Sequence, residues 1–204
     1  MAVATLREAG SLPAEEPVGR IGPNAVLQLS DVLLEQDGAE ARRRIFQAAG
    51  LLRHLASPPS TMVEEREVAR LFGALEQELG RPAALERIRR AGQRTAEYLL
   101  AHRIPPLARM LLPNLPASFA AVLLTRSIQR HGWTFLGSGS LAVVRGQPLG
   151  IRIRLADALA RHAALASEYY RSAFEGLFRA LVHPAAHALP QPAPAGICRF
   201  DILW

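Results

Sequence analysis

The chain has 204 residues, half of them apolar and 21% charged, which fills one good core and falls short of two ordinary domains with a linker. Its 24 basic residues are all arginine against 18 acidic ones, giving a net charge of +6 and a pI near 10.8. A single cysteine, Cys198, excludes an internal disulfide framework and any multi-cysteine metal site, and points to a reducing compartment.

The arginines are scattered. Their dense groups, Arg42 to Arg44 and Arg87, Arg89, Arg90 and Arg94, lie beside carboxylates on helical segments, so they predict solvated helix faces and no nucleic-acid partner. The other partners that guanidinium groups suit are an anionic small molecule or a membrane surface. Residues 1–19 read as a loose tail without the unbroken apolar stretch of a secretory signal. The uncharged run Met110 to Thr125 is interrupted by Pro113, Asn114 and Pro116 and is too short to span a bilayer. A cytoplasmic protein, able to rest on a membrane surface, is the expectation.

In chain order, Ile21-Gly-Pro-Asn is a turn feeding a first helix with Val26, Leu29, Val32 and Leu33 on one face, stopped at Asp37-Gly38. A second helix is predicted over Ala39 to Leu55, with Ile45, Ala49 and Leu52 inward, ended by Ser57-Pro-Pro59. Thr61 and Glu64 carry a capping-box signature before a third helix that holds Val68, Leu71, Phe72, Leu75 and Leu79 and ends at Gly80. Pro82 opens a fourth helix through Leu85, Ile88, Thr95 and Leu99 to about Arg103, and Pro105-Pro106 breaks it. Pro116 to His131 reads as a helix apolar nearly all round, hence buried.

Beyond Gly132 the period changes. Trp133 to Leu136, Ser140 to Arg145 and Leu149 to Leu155 are predicted as strands, with Arg145-Gly-Gln-Pro148 as the hairpin turn between the last two. One long helix follows from Asp157 to Val182, striped by Leu159, His162, Leu165, Tyr169, Ala173, Leu177 and Leu181 and widened by Phe174 and Phe178. Pro190, Pro192 and Pro194 mark a constrained connection, and Ile197 to Leu203 returns as a strand. The order predicts a single domain over residues 20–204 of α+β class: an N-terminal helical layer on a small, mainly antiparallel sheet with one long C-terminal helix.

Few motifs carry chemistry. Gly137-Ser-Gly139 lacks the third glycine and the helix of a dinucleotide fingerprint and reads as a turn. His183 and His187 are separated by Pro184 and have no third ligand. Cys198 has no activating base in sequence and reads as a buried, inert residue. His162 sits in an apolar stripe, where a buried ring needs a partner, and His131 lies beside Trp133 at a helix end. Either is a core or surface histidine, or an axial ligand to a chelated metal. Arg126 and Arg130, one turn apart on the apolar helix, either emerge into solvent or await anionic groups.

Arg20-Ile-Gly-Pro-Asn-Ala-Val-Leu-Gln-Leu29, the helix with Tyr169-Tyr170 and Phe174-Glu-Gly-Leu-Phe178, and the terminal Cys198-Arg-Phe200 together resemble the BchJ-type 4-vinyl reductase domain family of bacteriochlorophyll biosynthesis. The likeness covers nearly all of the chain after residue 19. It implies the ligand-binding fold shared by NO-sensing haem domains and TRAPP trafficking subunits. It also implies further cysteines near the start of the long helix and before the final strand. Leu165 to Glu168 and Ala185 to Gln191 contain none, so no cysteine-based metal or redox site carries over.

The family name implies reduction of a vinyl group on a chlorophyllide precursor. Hydride delivery needs a bound cofactor, and the residues show no site for one, so no catalytic residue and no intrinsic cofactor is assigned. The resemblance also implies a tetrapyrrole-binding accessory or carrier protein, with a Mg-porphyrin as ligand and the enzymes of bacteriochlorophyll synthesis as partners. A flat apolar macrocycle with carboxylates at one edge needs an apolar slot, cations and an axial ligand. Phe119, Val122, Trp133, Leu165, Tyr169 and Phe174 are the candidates for the slot, Arg126 and Arg130 for the carboxylates, and His162 or His131 for the axial position. The rival readings are the vinyl reductase itself and a regulatory or scaffold module that forms a homodimer.

Overall fold

The computed structural model describes residues 19–146 and 148–204, so nearly all of the expected N-terminal tail and Gln147 of the hairpin turn lie outside the described residues. β1 (Arg20–Ile21) leads into α1 (Asn24–Gln36), α2 (Gly38–Ala48) and the short α3 (Arg53–Ala56). β2 (Val63–Glu64), α4 (Glu65–Leu79), α5 (Arg81–His102), α6 (Pro106–Leu111), a 3₁₀ turn (Leu112–Asn114), α7 (Ala117–His131) and α8 (Trp133–Leu136) follow. β3 (Ser140–Val144), β4 (Leu149–Arg154), α9 (Asp157–Ala160), α10 (Ala163–Leu181), β5 (His187–Gln191) and β6 (Ile197–Leu203) complete the chain. The architecture is α+β, with an antiparallel sheet in the order β3-β4-β6-β5 and a two-stranded β1-β2 ribbon.

The middle of the molecule is the crossing of α5 and α10. Both helices are small-sided there: a side chain at Gly92 would begin 2.5 Å from the Tyr169 carbonyl, and one at Gly176 would begin 2.7 Å from the Ala96 methyl. The close approach brings the polar flanks of the two helices together. Glu168 on α10 accepts from Arg89 on α5 at 2.8 Å and from Arg171 at 2.6 Å. Arg87 forms a two-pronged pair with Asp37 at 2.8 and 2.9 Å, and Arg94 pairs with Glu35. The dense α5 arginines, expected on a solvated helix face, are instead engaged in ion pairs, mostly with carboxylates distant in sequence.

The opposite flank of α10 lies on the sheet, where Phe174 meets Phe200 at 5.5 Å between ring centres and Phe178 stacks on Trp204 at 6.5 Å. Alternation in β4 and β6 turns Ile151, Ile153, Cys198, Phe200 and Ile202 inward.

Several local expectations are corrected. Trp133 to Leu136 is a helical turn, because Phe135 and Leu136 both donate their N–H to the Gly132 carbonyl. The predicted second helix stops at Ala48, since Gly50 takes a positive φ of 69°, and the break turns Leu51 inward in place of exposed Leu52. Thr61 caps nothing: Glu64 is extended in the ribbon opposite Arg20, and α4 begins one residue later. The long C-terminal helix is two helices, divided at Arg161-His162. Pro190 lies within β5, an edge strand, where its missing N–H costs no ladder bond. α7 is buried on only one face.

Candidate functional site

Ala120, Ala121, Leu124, Thr125 and Ile128 form the buried face of α7, which lies against α10, α8 and β3. The other face carries Phe119, Leu123, Arg126 and Arg130, spaced four, three and four residues apart, so they rise in one row over about 17 Å of helix. Phe119 is 55% exposed. Among the described residues, neither Arg126 nor Arg130 has a carboxylate within salt-bridge distance. Val122, half-buried, stands at the edge of this row.

His131 ends the helix. Its Nδ1 is 2.8 Å from the Ser127 carbonyl, and a carbonyl only accepts, so Nδ1 carries the proton and donates. Neutral His131 then keeps its lone pair on Nε2, the tautomer that a metal-ligating imidazole adopts when its other nitrogen is anchored to the backbone. Just beyond Gly132, Trp133 projects with 64% of its surface exposed.

The α8 turn faces two ways. Trp133 points to solvent while Phe135 packs at 6.3 Å from Tyr170 and 6.2 Å from Phe174, and the Tyr170 hydroxyl donates to the Phe135 carbonyl at 2.9 Å. Phe135 thus takes the place beside Phe174 that the sequence reading gave to Trp133.

The ten expected site residues consequently fall into three places. Phe119, Val122, Arg126, Arg130, His131 and Trp133 share α7 and its end. Leu165, Tyr169 and Phe174 are core residues of α10. Thr95 gives its hydroxyl proton to the Ala91 carbonyl at 2.9 Å, so the Tyr169 hydroxyl donates to Thr95 Oγ1 at 2.8 Å. Burial pushes the Tyr169 phenol well above its usual range, the Thr95 bond opposing, and the ring is fixed in the interior. His162 sits apart from both groups, at the start of α10. Its ring lies over α4, with Cε1 2.8 Å from where a Gly73 side chain would begin and Nδ1 3.9 Å from Glu76.

The remaining motifs are structural. Burial pushes the Cys198 thiol up to about 11, a hydrogen bond with Ser167 opposing, so little thiolate exists at neutral pH. Gly137-Ser138-Gly139 wraps the carboxylate of buried Glu65, which accepts from Ser138 N–H at 2.8 Å and from its hydroxyl at 2.9 Å. The buried Glu67 side chain holds His54 at 2.6 Å and also Arg53, a cluster that pins α3 to α4 and that no sequence motif announced. Among the described residues, no three His, Cys, Asp or Glu side chains are grouped to hold a metal ion.

Two regions come into question for a tetrapyrrole. The interior between α10 and the sheet is closed by Phe174, Phe178 and Phe200, each less than 5% exposed, and among the described residues it offers no metal-binding nitrogen. The outer row of α7 fits the group better: it joins an exposed aromatic, two guanidiniums unpaired among the described residues and an imidazole whose Nδ1 is anchored to the backbone.

The fold is that of the H-NOX domains. An unliganded Fe(II) H-NOX protein from K. algicida superposes with a TM-score of 0.60 at 12% identity, over 89% of this chain and 95% of that one. An oxygen-binding H-NOX domain related to soluble guanylate cyclases gives 0.54 at 11% identity, over 89% and 93%. No family model matches the chain. The bacteriochlorophyll synthase 23 kDa chain of Cereibacter sphaeroides is 39% identical over 197 residues, covering 90% of each chain. Its counterpart in Rhodobacter capsulatus is 37% identical over 182 residues, covering 86% of this chain and 82% of its own. The chain belongs to this family, the BchJ-type bacteriochlorophyll synthase 23 kDa chains.

Proposed function

We propose that this protein serves bacteriochlorophyll biosynthesis as a tetrapyrrole carrier, holding a Mg-porphyrin or chlorophyllide precursor on the outer row of α7 for the enzymes of that synthesis. The names of its relatives support the biosynthetic role. One solved structure of the same fold concerns heme distortion in the H-NOX family and another protein-induced porphyrin distortion, which is in keeping with a macrocycle ligand. The observation that carries the reading is the 2.8 Å contact of His131 Nδ1 with the Ser127 carbonyl, which leaves Nε2 available near Arg126 and Arg130, neither paired with a carboxylate among the described residues. His131 would supply the axial nitrogen, the arginines would meet the propionate edge, and Trp133 and Phe119 would cover the apolar ring. A bound Mg-porphyrin contributes the Lewis-acidic centre that imidazole recognises. The protein's part is to hold and orient it.

Titration of the purified protein with Mg-protoporphyrin, followed by the Soret band and by Trp133 quenching, tests the carrier reading. A saturable shift is expected, and its absence would sink the idea. Turnover of a divinyl substrate by the protein with reduced nicotinamide alone would replace it with the vinyl-reductase reading.

A further inference from the structure

Residues 98–156 contain no aspartate or glutamate, yet they hold Arg103, Arg109, Arg126, Arg130, Arg145, Arg152 and Arg154. The rest of the chain carries 17 arginines against all 18 acidic residues, so the whole net positive charge of +6 arises in this one stretch. The same stretch breaks the usual rule of apolar burial. No residue from 97 to 119 is buried, although Leu107, Met110 and Leu111 share one face of α6 and are 66%, 60% and 55% exposed. Phe119 adds an exposed ring at the start of α7.

Ile104, Leu112 and Leu115 turn toward the core from the other side, so the outward set is a true face and not an unfolded end. Large apolar side chains at such exposure, clustered and bordered by Arg103 and Arg109, which among the described residues have no carboxylate partner, are the composition of a surface that meets another phase. A second copy of this chain is a poor occupant, because a two-fold contact would bring the same uncompensated arginines together. Nucleic acid supplies negative charge but no partner for four exposed aliphatic and aromatic side chains. Among the described residues no helix is long and apolar enough to cross a membrane, so insertion would be shallow.

We propose that α6 and the start of α7 dock this protein on an anionic lipid bilayer, with Leu107, Met110, Leu111 and Phe119 entering the acyl boundary and Arg103 and Arg109 contacting headgroups. The surface lies beside the row assigned to the tetrapyrrole but uses other residues, apart from Phe119, and stands whether or not a tetrapyrrole binds.

Co-sedimentation of the full chain with vesicles tests this, comparing pure phosphatidylcholine with phosphatidylcholine containing phosphatidylglycerol and no pigment. Binding to the anionic vesicles alone, weakened by salt, is expected. Arg103→Gln and Arg109→Gln should each lower the partition coefficient roughly fivefold. The double variant Leu107→Asp, Met110→Asp, with far-ultraviolet dichroism unchanged, should abolish binding. Failure of the wild type to sediment, or undiminished binding of the double variant, would overturn the proposal. So would a lipid-free dimer that the double variant dissociates, or a preference for duplex DNA over vesicles. Arg126, Arg130 and His131 are intact in every variant, so the Mg-protoporphyrin titration reports separately on the carrier reading.

Discussion

The carboxylate of Glu65 is clasped by Ser138, accepting from its backbone N–H at 2.8 Å and its hydroxyl at 2.9 Å, across 73 residues of sequence. The clasp fixes the turn after α8 to the first residue of α4, and so it fixes where Trp133 and the end of α7 sit. Gly137 is required for it on two grounds: its φ is 60°, and a side chain there would begin 2.2 Å from the carboxylate. Glu65→Ala orphans both Ser138 donors and should cost about 1–3 kcal/mol for each. Urea denaturation measures it, and an unchanged midpoint would show that the clasp is not formed in solution.

The α5–α10 crossing sets a second expectation. Gly92→Val places new atoms against the Tyr169 carbonyl, which cannot move without its helix, and should destabilise by about 1–3 kcal/mol or more. Gly176→Ala meets only the Ala96 methyl and should cost less. Thermal melts of the two variants give the order, and reversal would relocate the tight point of the crossing.

Glu168 sets an acid-side limit. Burial acts to raise its carboxyl, but hydrogen bonds from Arg171 and Arg89 prevail and the net shift is downward from 4.5. The folded value is below the unfolded one, so its stabilisation is complete above about 4.5 and is lost as pH falls through the folded value. Wild type should therefore exceed Glu168→Gln in stability at neutral pH, with the gap narrowing below pH 4.5. A gap independent of pH would mean that the ion pairs contribute nothing as charges.

Cys198 should resist alkylation. Its thiol lies near 11 and is buried on β6, so iodoacetamide should label native protein far more slowly than urea-unfolded protein at the same pH. Rapid native labelling would return the residue to the list of reactive groups.

On α7, His131→Ala should weaken Mg-protoporphyrin binding while His162→Ala leaves it unchanged. Arg126→Ala should weaken the free acid more than its dimethyl ester, by about tenfold for a lost charge-assisted pair. Soret titrations of the three variants decide it. Equal losses for acid and ester would remove the arginine from the carboxylate role.

The helical layer was legible because Val26, Leu29, Val32 and Leu33 and the α4 stripe repeat at helical spacing, and because Gly38 and Gly80 end their helices where a positive φ is needed. The strands β3, β4 and β6 were legible through alternation at Ile151, Ile153 and Leu155 and from Cys198 to Ile202. Trp133-Thr-Phe-Leu136 was not, since three β-prone residues and a leucine fold as a turn once Gly132 offers its carbonyl. The division at Arg161-His162 was hidden because the apolar stripe runs in register on both sides of it. For the site, spacing did place Arg126 and Arg130 together, but it cannot distinguish a helix face that is buried from one left bare. The slot drawn from spacing therefore combined the buried Leu165, Tyr169 and Phe174 with the exposed row of α7.

The locked crossing of α5 and α10 also predicts an uneven mechanical map. Amide hydrogen exchange should be slowest around Gly92, Ala96, Ser172 and Gly176, where opening requires the whole domain to come apart. Residues 103–116, between α5 and α7 and none of them buried, lie outside the two helices of that spine and should exchange first. The protein would then behave as a rigid axle with a yielding rim.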